Sequence, residues 1–387
     1  MANELSRRGF LRGSALVTSA VAGSSLMAFN GASASSAMVT TIPAPLYGPA
    51  PGIAKLNANE NPFGPSKGAI AAMTAAATKG AYYVGESVPR LISLIAERHG
   101  VPESYISLSS GSSGVLTYLA IAKAKTGKIL GPDLFWDTTS KAAIRQGGEL
   151  VYMEKTEDLS VDLKAMAAAI TPDVAMVQIC NPNNPTGMVV DSAELTAFCK
   201  SASKKATILV DEAYNELTDD PEANSMVHLI KEGYDVVVAR TFSKIYGLAG
   251  MRVGYMIASE KTTAMANQYS LGNYAMNQAG VAGAVASYND FAFLKHSKEK
   301  IMEGRDMIMS AVKSNGLTAA PSQASFVFVN LGNLNAETFR QKMAAENVLI
   351  RGIYRDYTHW SRVSTGLIPD VQKYVTALPK VLDAMNA

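Results

Sequence analysis

The chain has 387 residues, is 48% hydrophobic and carries a formal net charge of +2. That length and apolar content support a large core, in two or three domains or in one woven from two chain segments. Lysines and arginines are scattered, with no basic block and no aromatic interleaving, so no nucleic-acid partner is expected. The two cysteines, Cys180 and Cys199, read as buried thiols rather than a bridge. His99, His228, His296 and His359 lack metal-ligand spacing, so no metal site is expected.

At the N-terminus, Ser6-Arg7-Arg8-Gly9-Phe10-Leu11-Arg12 precedes a mildly apolar run over 15–29 and then Ala32-Ser33-Ala34. This pattern reads as a twin-arginine export signal over residues 1–34, and it implies a periplasmic, folded product carried by the twin-arginine translocase. Gly, Ser and Thr dilute the apolar run, so a stable membrane anchor is not expected. Residues 35–54, rich in Ala, Ser and Pro, read as an extended arm, followed by an Ala-rich helix over 67–78.

From there short β-rich runs alternate with amphipathic helical ones. Strands are predicted at 106–108, 128–130, 150–153, 174–179, 207–210, 236–239 and 253–257. Runs such as Val-Ala-Met-Val-Gln-Ile lack polar alternation, as expected of parallel strands buried on both faces. The fold class is therefore α/β, with a mostly parallel central sheet and helices on both faces. After about residue 285 the pattern changes to a helix over 291–314, short strands at 325–329 and 363–365, and helices over 336–346 and 370–384. These form a smaller α+β domain. The expected division is an arm and part of the small domain over 35–75, a large domain over 76–284 and the C-terminal small domain over 285–387.

Three polar sites each fall just past a predicted strand, where open α/β sheets place ligands. They are Asn181-Pro-Asn-Asn-Pro-Thr-Gly187, Asp211-Glu-Ala-Tyr214 and Thr241-Phe242-Ser243-Lys244, the last followed by Arg252 in Gly-Leu-Ala-Gly-Met-Arg-Val-Gly-Tyr. Lys244 thus lies between hydroxyls and an arginine, surroundings that lower an amine's pKa and suit it to nucleophilic work. Asp211 emerges from a buried strand, where a carboxylate needs a partner. Together the motifs resemble the active site of fold-type-I pyridoxal-phosphate (PLP) aminotransferases of class I/II. Leu56-Asn-Ala-Asn-Glu-Asn-Pro-Phe-Gly-Pro-Ser66 looks like the N-terminal signature of their histidinol-phosphate aminotransferase branch.

The resemblance implies pyridoxal 5'-phosphate as cofactor, with Lys244 as its Schiff-base residue. It implies that Asp211 pairs with the pyridine nitrogen and that Tyr214 and Asn184 bond the ring oxygen O3′. Gly111, Ser112 and Ser113, at the start of a helix, would hold the phosphate with Thr241, Ser243 and Arg252. The family usually has an acidic residue where Ser113 stands. An aromatic ring should stack on the pyridine. Counting back from Gly147 gives Trp136, counting forward from Pro132 points to Leu134 or Phe135, and the breadth of its ring favours Trp136. Arg362 matches the clamp for the substrate carboxylate, with Asn59 and Arg351 expected at the substrate. Tyr83, or Tyr82 if the register slips by one, would reach the phosphate of a neighbouring subunit, which implies a homodimer.

The reading is an aminotransferase passing an amino group between an amino acid and a 2-oxo acid in a ping-pong cycle. A lyase, decarboxylase, racemase or O2-dependent oxidase on the same fold stays open, because these differ in which substrate bond stands perpendicular to the ring. A cofactor-binding protein without turnover would have no need of Arg362.

Overall fold

The computed structural model describes residue 45 and residues 47–386; the expected export signal over 1–34 lies outside them. In chain order the strands are β1 (Ala54–Lys55), β2 (Ile106–Ser109), β3 (Lys128–Pro132), β4 (Leu150–Met153), β5 (Val174–Cys180), β6 (Thr207–Asp211), β7 (Val236–Thr241), β8 (Gly254–Ile257), β9 (Thr318–Ala319), β10 (Phe326–Asn330), β11 (Val348–Leu349) and β12 (Trp360–Ser364). Seven of them form a central sheet in the order β2-β8-β7-β6-β5-β3-β4. Only β8 runs against its neighbours, so the sheet is mostly parallel.

Strand alternation explains why both faces are covered. Along β6, Ile208 and Val210 point into one core with the helices Ser87–His99 and Ser192–Ala202. Leu209 points into another with the helix Ser112–Ala124. Side chains of period two on a sheet buried on both sides require a near-continuous apolar run, which is what these strands carry.

A second core joins Ala54 and Leu56 to the helices Phe291–Ser314, Ala336–Ala345 and Ile368–Asn386. Here β1 pairs in parallel with β11, and β12-β10-β9 form an antiparallel sheet. The expected divisions at 75/76 and 284/285 fall inside the helices Lys67–Ala77 and Gln278–Tyr288. These two pack on each other, and Met73, Val281 and Ala284 belong to the larger core. The chain therefore changes core earlier, between Leu56 and Met73, and again within Phe291–Ser314, where Ile301 faces the larger core and Ile308 the smaller. β10 is shared in the same way: Phe326 meets the larger core, Val327 and Val329 the smaller.

A buried ion pair fixes the end of the strand that matters most for the site. Glu212, directly after β6, is fully buried and takes Arg240 Nη2 at 2.7 Å and Nε at 3.1 Å. Its carboxylate also accepts from Ser225 Oγ at 3.0 Å and from the Met226 N–H at 2.7 Å. Removing one partner of such a pair strands a charge in the interior. Glu212→Ala is expected to cost about 3–5 kcal/mol in urea denaturation of the apoprotein. A loss under about 1 kcal/mol would mean that Glu216, 3.7 Å from Arg240, takes over the pairing.

Candidate active site

A cavity of about 560 Å³ opens at the carboxyl ends of the central strands. β5 leads into Asn181–Asn184, β6 ends on Asp211, β7 on Thr241, and the turn after β2 leads into Ser112. The Asn59, Trp136, Asn184, Asp211, Tyr214, Lys244, Arg252, Arg351 and Arg362 side chains all line this space, with Ser112, Ser113, Thr241 and Ser243. Trp136 faces the cavity, whereas Leu134 and Phe135 are buried in the protein. Tyr83 and Tyr82 are 80% and 72% exposed and stand apart from the cavity of their own chain, Tyr83 edge-on to Tyr274.

Lys244 is half-buried, and its Nζ donates to the Asn59 carbonyl at 2.9 Å. Burial foremost, then the Arg362 cation, lowers its pKa to about 8, against the opposing pull of Asp211 and Glu60. Asp211 shifts the other way. It is 3% exposed, burial raises its carboxyl to about 7, and among the described residues the Ala213 N–H at 3.2 Å is the one donor to that carboxyl. A buried carboxylate this poorly matched suits a positively charged or protonated nitrogen placed against it.

Tyr214 and Asn59 form a second layer of support. Asn59 Nδ2 donates to the Tyr214 hydroxyl at 2.8 Å, and Asn59 Oδ1 accepts from Ser364 Oγ at 2.6 Å. Burial pushes the Tyr214 hydroxyl well above its ordinary value. The Tyr214 ring stands edge-on to Phe326, with centroids 5.2 Å apart. The same Phe326 ring lies 5.3 Å from the Arg362 guanidinium. Arg362 is 6% exposed, gives Nη1 to Asn184 Oδ1 at 2.6 Å, and leaves Nε without a partner. Among the described residues no carboxylate pairs with it, so a ligand's carboxylate would complete its fork.

The third cluster is an anion cradle. Gly111 caps the helix Ser112–Ala124 with φ 73°, leaving the first helical N–H groups without intrahelical partners. Arg252 is itself left-handed, with φ 55°. Its guanidinium reaches Ser113 Oγ at 3.1 Å, Ser243 Oγ at 3.3 Å and the Ala249 carbonyl at 3.0 Å. Thr241 Oγ1 and Ser243 Oγ are 2.9 Å apart. Glycine is required twice here. A Cβ on Gly111 would lie 2.2 Å from Arg252 Nη2, and one on Gly254 would lie 2.1 Å from the Ser112 nitrogen. Ser113, where an acidic residue was the family expectation, therefore gives the cradle a neutral hydroxyl instead of a carboxylate.

A phosphate in the cradle and a pyridine nitrogen at Asp211, with an aldehyde carbon at Lys244, match the three groups of PLP. Among the described residues no cluster of His, Cys, Asp and Glu could hold a metal. Both cysteines are free and buried. Residues that sequence motifs did not single out also line the cavity: Glu60, Asp137, Lys141, Tyr354 and Arg355. Glu60 lies inside the Asn-Glu-Asn-Pro signature and could have been found there; the others sit in no motif.

Residues 51–377 match the family described as aminotransferase class I and II. The chain is 33% identical to histidinol-phosphate aminotransferase 1 of Cupriavidus pinatubonensis over 334 residues, which is 86% of this chain and 89% of that protein. It is 32% identical to the aromatic amino acid aminotransferase of Thermobifida fusca over 332 residues, 86% and 91% of the two chains. Among solved structures it resembles the histidinol-phosphate aminotransferase from Sinorhizobium meliloti in complex with pyridoxal-5'-phosphate. The TM-score is 0.79 at 28% identity, covering 86% of this chain and 91% of that one. The fold is that of the PLP-dependent enzymes of fold type I, and the chain belongs to the class I and II aminotransferases.

Proposed function

We propose that this PLP-dependent aminotransferase works through Lys244, with Arg362 as the clamp for the carboxylate, or an equivalent acid group, of an amino acid and of a 2-oxo acid. The observation that carries this reading is the pairing, in one cavity, of a depressed amine with a buried guanidinium that has no carboxylate partner among the described residues. Bound PLP supplies an electron sink for the substrate's α-carbon. The protein residues do the rest. Lys244 holds or releases a proton near neutral pH, as a general base needs. Asp211 would pair with the cofactor's ring nitrogen and hold a proton there. Tyr214 and Asn184 bond the ring oxygen, and each is held in turn by Asn59 or Arg362. Arg252, Ser113, Ser243, Thr241 and the Ser112 helix N-terminus retain the phosphate.

For the substrate, the relatives named for histidinol phosphate and aromatic amino acids favour a donor with a flat ring. Trp136 and Tyr354 on the wall and Arg351 at the rim suit such a side chain with an anionic end. A panel of amino donors and oxo acids tests this. Oxo acid should form in step with amination of the acceptor. Lys244→Ala should abolish it, and Arg362→Lys should lower kcat/KM by about 10- to 100-fold. Oxo acid formed beyond one equivalent of enzyme without an acceptor being aminated would instead mark an oxidase or a lyase.

The working unit is inferred to be a homodimer. Tyr83, Tyr82, Leu271 and Tyr274 are all more than 70% exposed, and an aromatic face of this kind asks for cover. In a two-fold dimer each Tyr83 would reach the partner's phosphate cradle. Mixing inactive Lys244→Ala chains with a Tyr83→Phe, Lys244-intact variant of weak cofactor retention should give hybrid sites with restored retention. A fully active monomer in sedimentation would refute the dimer.

Export by the twin-arginine route rests on Ser6-Arg7-Arg8-Gly9-Phe10-Leu11 alone. It is in keeping with a protein that must fold around a cofactor before it leaves the cytoplasm. Changing Arg7 and Arg8 to lysine should hold the uncleaved protein in the cytoplasm. Unchanged periplasmic recovery would contradict the signal.

A further inference from the structure

Asp137, Tyr354 and Arg355 line the cavity, and they belong to one polar clasp. Asp137 is 6% exposed, and one oxygen of its carboxylate, Oδ2, meets three donors. These are Arg355 Nη2 at 2.5 Å, the Tyr152 hydroxyl at 2.6 Å and Lys141 Nζ at 2.9 Å. Arg355 also reaches the main chain of the same loop. Its Nη1 donates to the Asp133 carbonyl, and its Nη2 to the Phe135 carbonyl at 3.3 Å. The residues on either side of Arg355 repeat the pattern. Tyr354 donates to the Phe135 carbonyl at 3.4 Å, and nearby Tyr357 donates to Asp133 Oδ2 at 2.8 Å.

The loop over 133–137 is thereby tied at Asp133, Phe135 and Asp137 to a segment more than 200 residues away in the chain. Trp136 stands between two of these ties and, with Asp137, forms the loop's part of the cavity wall. Two features mark Arg355 as more than a surface ion pair. Its backbone is left-handed, with φ 52°, which a long L side chain adopts only when the surroundings hold it there. Its guanidinium spends its donors on one loop, and a planar fork fixes orientation in a way that a lysine's point charge does not.

We propose that Arg355 is a positioning residue. Through Asp133, Phe135 and Asp137 it fixes the orientation of Trp136, and so the fit of cofactor and substrate against that ring. The proposal rests on the cavity being the active site.

The chain has two tryptophans, Trp136 and Trp360, and Trp360 lies stacked on Phe328. In a Trp360→Phe background, fluorescence reports Trp136 alone. In that background, acrylamide quenching of the cofactor-free protein should rise in Arg355→Ala and in Asp137→Asn, while circular dichroism shows the fold retained. Arg355→Lys keeps the charge but loses the fork, so its quenching should fall between those of the Trp360→Phe parent and Arg355→Ala. In the PLP-loaded enzyme, kcat/KM should drop by about 10- to 100-fold in Arg355→Ala, the scale expected of a misplaced site group. The visible circular dichroism of the bound cofactor should change with it.

Unaltered Trp136 quenching and cofactor dichroism in folded variants would overturn the proposal, even if activity fell. If Arg355→Ala does not fold, Arg355→Lys and Asp137→Asn decide by the same readouts. Altered quenching in a protein with no transaminase activity would uphold the clasp and count against the functional reading instead.

Discussion

Four charged groups gathered at the carboxyl ends of a mostly parallel sheet, without adequate partners among the described residues, set the terms for the rest of this structure. Among the described residues Asp211 has a single backbone N–H, Arg362 has an unused Nε, and Arg252 has hydroxyls and carbonyls but no carboxylate. Lys244 has one carbonyl and two arginines near enough to lower its pKa. Isolated charges of this kind are costly in an interior. The surrounding framework holds them in place, and on the proposed function PLP and an acid substrate would bring the complementary charges. Bound ligand then contributes stability as well as chemistry.

The framework does this with rigid pieces. Glu212 and Arg240 pin the end of β6, so Asp211 cannot swing away from the cavity. β10 sends Phe326 toward the site and Val327 and Val329 into the smaller core, so the position of Arg362 on its neighbour β12 is set by packing on both sides. Gly111 and Gly254 let a helix N-terminus, a strand and the Arg252 guanidinium approach within distances that any Cβ would forbid. The opposite pKa shifts of Lys244 and Asp211 come from the same burial, which penalises whichever form is charged. One cavity therefore holds an amine readier to lose its proton and a carboxyl readier to keep one.

Much of this was legible in the sequence for a physical reason. Parallel strands buried on both faces must be apolar throughout, and ligand groups must follow their carboxyl ends. Val-Ala-Met-Val-Gln-Ile and Asp211 after Thr-Ile-Leu-Val could thus be placed without coordinates. The helix Phe291–Ser314 was equally plain from its length and period. The reversal of β8 was not, since a four-residue apolar strand reads alike in either direction. The pairing of β1 with β11 was hidden because two-residue strands carry no period. Arg355 and its clasp could not be read either: a positive φ on arginine has no sequence signature, and its partner Asp137 is 218 positions away. Trp136 illustrates the middle case: spacing from two landmarks disagreed, ring breadth favoured Trp136, and the structure places Trp136 on the cavity wall with Leu134 and Phe135 buried.

The central claim is that burial and neighbouring cations make the Lys244 amine the group that captures the cofactor. The direct measurement is the rate at which the apoprotein takes up PLP across pH, with borohydride reduction and peptide mapping of the lysine modified. The sign follows from a pKa lowered from 10.5 to about 8: the reactive neutral amine is scarce below that pH and dominant above it. The account predicts capture on Lys244 alone, with a rate that climbs toward pH 8 and levels off above it. A rate still climbing toward pH 10, or a pyridoxyl group found on another lysine, would contradict it.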